Sequence, residues 1–400
     1  MASSERSPFG DFPSPVSLLG DSDAELFTLA LALIPGMGPR RGARALERFG
    51  SARAVFESSR RELEEAGLSG SLAQTVLSGG SFDEAIHQRE KAADFGTTII
   101  PLGTPLYPDL LSKIADPPLV LFAKGDTTLL NAISVGVVGT RRPTTYGKAV
   151  AERLSKEISD LGITVVSGMA RGVDTYAHKA ALKGRGGTIA VFGCGVDVIY
   201  PAENRVLAAE IADAGLVLSE FPMGSPSYPQ NFPVRNRIVS GLGRGILVVE
   251  GAQYSGSAIT ARIAIEQGRL VFAVPGNITS KMSWGPNLLI KQGATLVQDA
   301  MDLLSQLDVE DRSLIYQRLH GEGEPAASPA ETAPTNAPPQ SPTASRILRV
   351  LKVDEGRSLD GLLEAFPDMS SSEIIAALFE LEMEGAVKQD AGQRYTKIWC

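Results

Sequence analysis

Cysteine and histidine are scarce in this chain of 400 residues, with two of the first and three of the second. Cys194 and Cys400 lie far apart and form no CxxC pair, which excludes a disulfide framework. With only His87, His178 and His320 beside them, there is little material for a soft-metal site. No metal and no other cofactor is expected, and a reducing cytoplasm is the simplest home. No apolar run is long enough to span a bilayer, and no basic start precedes an apolar stretch, so membrane insertion is set aside. A GxGxxG turn followed by a ribose-binding acid is missing, which weakens a dinucleotide oxidoreductase. GxxxxGK[ST] and GxSxG are missing too, as are paired two-metal carboxylates, against an ATP-driven motor or a serine hydrolase. The net charge of −8 argues against a protein that coats nucleic acid indiscriminately.

What is present divides the chain. Residues 1–22 are rich in Ser, Pro, Gly and Asp and read as a disordered leader. From 23 to 96 the pattern is helical, and "LIPGMGPRRGARAL" reads as a helix-hairpin-helix turn with Arg40, Arg41 and Arg44 beside it. Such a turn either grips a backbone phosphate or simply packs as a helical hairpin with wet arginines. From 97 to 305 short apolar runs such as VGVV (135–138), ITVV (163–166) and ILVV (246–249) recur between helix-compatible segments. That is the rhythm of βαβ units, and the fold class expected is α/β with an extended Rossmann-like, mostly parallel sheet. Residues 306–345 read as a Pro/Ala-rich linker, and 346–400 as three short helices followed by two small strands, a winged-helix-like domain. Its third helix carries Glu373, Glu380, Glu382 and Glu384 without a Lys or Arg, which favours a protein contact, or simply a stabilising cap, over a major groove. Ser370 and Glu373 are spaced as a capping box for it.

In an open α/β sheet, ligands collect beyond the carboxyl ends of the strands. Here those ends carry "GTRRPTTYG", "SGMARGVDTYAH", "GCGVDVIYPAEN", "NFPVRNRIVSGL" and "EGAQYSGSAIT", in which glycine, hydroxyl and arginine recur. The candidate phosphate-binding residues are Gly139, Thr140, Arg141, Arg142, Ser167, Gly168, Arg171, Gly172, Lys179, Asn231, Arg235, Asn236, Arg237, Ser255, Gly256 and Ser257. Each has a plainer reading: the glycines make tight turns, the serines cap helices, and one arginine of "RNR" pairs with an acid such as Glu220 or Glu250. Asp174 and His178 stand one turn apart, but such a pair is more often structural than catalytic. Many oxyanion donors without an evident nucleophile, base or metal point to binding, not turnover. Phosphates recurring along a line suit single-stranded DNA, and Tyr146, Tyr176, Tyr200, Phe232, Tyr254 and Trp284 supply rings for stacking or for loop packing. The rival readings are a nucleotide or phosphoribosyl hydrolase and a protein-interaction scaffold.

The ordered set from "VVGTRRPTTYG" to "VFAVPGNITSKMSWGPNLLIKQGA" resembles the DNA-processing protein A family, also called DprA or Smf. The resemblance implies a Rossmann-like domain that binds single-stranded DNA, a homodimer, protection of incoming DNA during natural transformation, and help in loading the RecA recombinase. The family's glycine-serine-arginine loop matches Gly139-Thr140-Arg141, with threonine in place of serine, and its arginine-asparagine-arginine segment matches Arg235-Asn236-Arg237.

Overall fold

The computed structural model describes residues 23–253, 255–320, 342–351, 357–366, 368–383, 386–390 and 394–397. The expected leader, Tyr254 and Glu384 lie outside them. Contacts divide the chain into two units, residues 1–324 and 325–400.

The first unit opens with six helices: α1 (Ala24–Leu33), α2 (Gly38–Phe49), α3 (Ala52–Glu57), α4 (Arg60–Glu65), α5 (Gly70–Ser78) and α6 (Phe82–Phe95). Their starts are written locally. Ser51 accepts from the Ala54 amide, and Ser59 with Glu62 closes a capping box on α4. Phe27, Phe56 and Phe82 form the heart of this part, with ring centroids 4.8–6.1 Å apart. They belong to one core with Phe122 and Phe192, so the helices are built onto the sheet.

The sheet has nine strands: β1 (Thr98–Pro101), β2 (Val120–Gly125), β3 (Ser134–Val138), β4 (Thr164–Ser167), β5 (Thr188–Val191), β6 (Leu216–Ser219), β7 (Gly245–Val248), β8 (Leu270–Ala273) and β9 (Thr295–Leu296). Their order is β1-β2-β6-β5-β4-β3-β7-β8-β9. From β6 to β9 all neighbours are parallel, while β2 joins β6, and β1 joins β2, antiparallel. Every residue of β3 to β7 is buried, as continuous apolar runs covered on both faces require. After α7 (Asp109–Ser112), the strands alternate with α8 (Thr145–Asp160), α9 (Val173–Ala181), α10 (Arg205–Ala214), α11 (Asn231–Leu242), α12 (Gly256–Glu266) and α13 (Trp284–Lys291). The strand order reverses between β3 and β7, and that switch point positions the site.

Two helices, α14 (Ala300–Gln306) and α15 (Val309–His320), follow β9. Residues 309–320, expected above to begin the linker, are therefore a packed element. Ile315 is buried in the sheet core and Asp311 pairs with Arg244 at 2.5 Å. Proline begins to dominate only beyond them, so composition placed the linker's start too early.

The second unit contains α16 (Pro342–Val350), β10 (Arg357–Ser358), α17 (Leu359–Ala365), α18 (Ser371–Met383), β11 (Val387–Asp390) and β12 (Arg394–Lys397). Its small antiparallel sheet, ordered β10-β12-β11, and its three helices make a winged helix around Ile347, Leu362, Ile374 and Leu381. Ser370 and Glu373 close the capping box read from the sequence, the Ser370 amide donating to Glu373 at 2.8 Å. Glu373 and Glu382 are exposed on α18.

Candidate functional site

A cleft of about 610 Å³ opens at the carboxyl ends of the strands, walled by the loops that follow β3, β4, β5, β6 and β7. The β3 loop is anchored at both ends. The Thr140 amide donates to the Glu250 carbonyl at 2.7 Å, and the Thr144 hydroxyl and amide donate to the Glu250 carboxylate at 2.6 and 2.9 Å. Thr144 also caps α8 by accepting from the Gly147 amide. A Cβ on Gly147 would lie 2.2 Å from the Glu250 carboxylate, so glycine is what lets the acid reach beneath the helix. Between these anchors Arg141 and Arg142 stand exposed, and among the described residues neither has a carboxylate partner. Arg141 lies over the Phe232 ring, 5.9 Å from its centroid, and Phe232 lies 5.2 Å from the ring of Tyr200. A guanidinium and two aromatic rings thus share the floor of one cleft.

The β4 loop is closed on itself. Ser167 is buried and donates to the Val137 carbonyl at 2.6 Å, while the Gly168 and Ala170 amides donate to Asp174 at 3.1 and 3.2 Å. The donors expected to meet a ligand at Ser167 and Gly168 are therefore consumed inside the protein. Gly172, at φ +81°, packs against the β3 loop, where a Cβ would lie 2.4 Å from the Thr140 carbonyl oxygen. Arg171 stays exposed but is held by Glu203. Burial raises the Asp174 carboxyl above its usual range, opposed by Arg235 and the two amides. His178 does not bond Asp174. It meets the Thr188 hydroxyl at 2.7 Å, which itself donates to the Val165 carbonyl, and burial pushes the imidazole down to about 3.

Both arginines of "RNR" are corrected to interior roles. Arg235 is 4% exposed; it donates to the carbonyls of Gly168 and Val191, and burial pushes it down to about 10. Arg237 is 6% exposed and pairs with Glu220 at 2.5 Å and Asp116 at 3.6 Å. Inside α11 two positions differ by about 200°, so the side chains diverge, yet both directions point into protein. Asn236 alone of the three lines the cleft. Asn231 donates to the Gly193 carbonyl at 3.1 Å, holding the start of α11 to the β5 loop instead of reaching the cleft. Ser255, Gly256 and Ser257 line the opposite wall, where Ser255 caps α12 and shares a 2.8 Å hydrogen bond with Ser257. Lys179 is exposed in a different depression, with Lys183, Glu210 and Asp213, because its position on α9 turns it from the strand ends. Arg40 and Arg44 line a separate cleft, and Arg41 donates to the Gly36 carbonyl at 2.8 Å. Glu203 and Asn204 carry no mark in the sequence, yet Asn204 holds the sharp turn at Met169 by donating to its carbonyl at 3.0 Å.

Fold and site together define a Rossmann-like α/β protein with a cationic, aromatic-floored cleft at its switch point. The DNA recombination-mediator protein A profile matches residues 98–308, and the DprA winged helix profile matches residues 331–393. The chain belongs to the DNA recombination-mediator protein A family. It is 48% identical over 213 residues to the DNA processing protein DprA of Bacillus subtilis, covering 53% of this chain and 72% of that one. It is 37% identical over 313 residues to the protein Smf of Synechocystis, covering 73% and 78% respectively. The X-ray structure of DprA from Streptococcus pneumoniae superposes with a TM-score of 0.56 at 34% identity, over 72% of this chain and 99% of that one.

Proposed function

We propose that the strand-end cleft binds single-stranded DNA, with phosphates against Arg141, Arg142 and the Ser255–Ser257 turn and bases stacked on Phe232 and Tyr200. The observation that carries this reading is the exposed Arg141, without a carboxylate partner among the described residues, set over an aromatic floor with the exposed Arg142 beside it in the chain, since cations alone would suit any anion and rings alone any apolar ligand. Gly139 and Gly172 serve it by close packing of the loops, and Arg235 by holding the floor rigid. The two carboxylates best placed to act in a hydrolase are both engaged inside the protein, Asp174 accepting two backbone amides and Glu250 a backbone amide and a hydroxyl, which supports binding over turnover. Membership of the family extends the reading to protection of incoming DNA during transformation, a homodimer, and delivery of the bound strand to RecA in the cytoplasm. We further propose that residues 97–305 carry the DNA-binding activity and that the winged helix contacts protein through α18.

Fluorescence anisotropy of a labelled poly-dT oligonucleotide across a salt series tests it. The Arg141→Ala/Arg142→Ala variant is expected to lose roughly tenfold or more in affinity and to flatten the salt slope by about 0.7 per lost phosphate contact, with Tm unchanged. Wild-type protein that is folded yet ignores the oligonucleotide would move the nucleotide hydrolase to the front.

A further inference from the structure

The second cleft has an arginine wall of another kind. Helix α2 exposes Arg40, Arg41, Arg44 and Arg48. Elsewhere in the helical part arginines are neutralised: Arg53 by Glu57, Arg60 by Glu64, Arg61 by Glu65 and Arg89 by Asp23. Among the described residues Arg40, Arg44 and Arg48 have no ion pair, and Arg41 bonds only a backbone carbonyl. This arrangement works against the helix that carries it. Like charges four residues apart, as at 40, 44 and 48, repel one another on a helix face. Arg40 and Arg41 also sit at the positive end of the helix dipole, in a first turn without an acid, where α4 has Glu62 and α6 has Asp83 and Glu84. A local rule broken in this way, with no ion pair formed by Arg40, Arg44 or Arg48 among the described residues, marks a surface completed by an external anion.

Arg40 and Arg44 line a cleft of about 1190 Å³, shared with Leu102, Gly103 and Thr104 and with two carboxylates, Glu25 and Glu47. Among the described residues no aromatic side chain lines it, in contrast to the strand-end cleft. Without rings it has nothing on which unpaired bases stack, and it reads charge alone. We propose that this face of α2 is a second phosphodiester-binding surface that takes duplex DNA, so that the preferred ligand is an unpaired strand continuous with a duplex. The unpaired half of that ligand rests on the function proposed above; the duplex half stands on α2 alone.

The test uses the full chain and three labelled probes: poly-dT, a blunt duplex, and the same duplex with a poly-dT overhang. In the Arg40→Gln/Arg44→Gln variant, affinity for both duplex-containing probes should fall roughly tenfold at low salt, with the salt slope reduced by about 0.9 per lost contact. Poly-dT binding should be unchanged, and Tm equal or slightly raised, because repulsion on α2 has been relieved. The Arg40→Lys/Arg44→Lys variant should recover most of the duplex affinity. Duplex binding that survives the glutamine variant overturns the proposal. So does an equal loss on poly-dT, or a lysine variant that fails to rescue. Wild-type protein that binds the blunt duplex but not poly-dT would overturn the single-strand reading of the cleft while leaving the α2 surface standing.

Discussion

Two glycine-rich loops leave the neighbouring parallel strands β3 and β4 at the same edge of the sheet, and they reach opposite states. In the β4 loop the buried Asp174 collects the amides and the buried Arg235 collects a carbonyl, so its polar groups face one another. In the β3 loop the buried Glu250 ties down the two ends and leaves Arg141 and Arg142 between them in solvent. A buried acid thus closes one loop and presents the other. The difference teaches that a loop rich in glycine, hydroxyl and arginine becomes a binding element only where its internal hydrogen bonds stop short of its cations.

Breaking the closed loop should have the largest effect. Arg235→Ala leaves two buried carbonyls without a donor and Asp174 without a compensating charge, and is expected to cost about 3–5 kcal/mol of stability in urea denaturation. If Arg235 instead faced ligand, the variant would keep its stability and lose only affinity.

The helix behind that loop offers the next test. His178 is pushed down to about 3, below its unfolded value near 6.5, so between these limits the unfolded chain binds the extra proton. Its contribution is complete above pH 6.5 and is lost as pH falls, at up to about 1.4 kcal/mol per pH unit. Asp174, raised by burial, acts with the opposite sign, so the comparison is between wild type and His178→Leu under the same titration. The variant should show the shallower acid slope; identical slopes would mean that the imidazole is protonated in the folded protein.

The smallest effect sharpens the open side. Phe232→Leu keeps apolar bulk but removes the ring beneath Arg141, and single-strand affinity should fall by about 1 kcal/mol with little change in Tm. An unchanged affinity would mean that the aromatic floor packs the loop and touches no base.

Much of this was legible in the residues themselves. The βαβ rhythm, the Ser370–Glu373 cap and the collection of polar loops at the strand ends are short-range patterns, fixed by alternation, capping chemistry and chain direction. The arginines were not separable in that way. Arg141 and Arg235 sit in equally suggestive motifs, yet one is exposed and the other is 4% exposed. The start of α15 was misread for a related reason, since the burial of Ile315 and the partner of Asp311 come from residues far earlier in the chain.

By itself, then, the sequence determined the architecture and the edge of the sheet at which chemistry collects, because both follow from local periodicity and from the direction of parallel strands. Only the tertiary structure decided which cations meet solvent. The rotation of α11 against β4 and β5, and the reach of Glu250 beneath α8, depend on packing between residues distant in sequence, and no local pattern encodes that geometry.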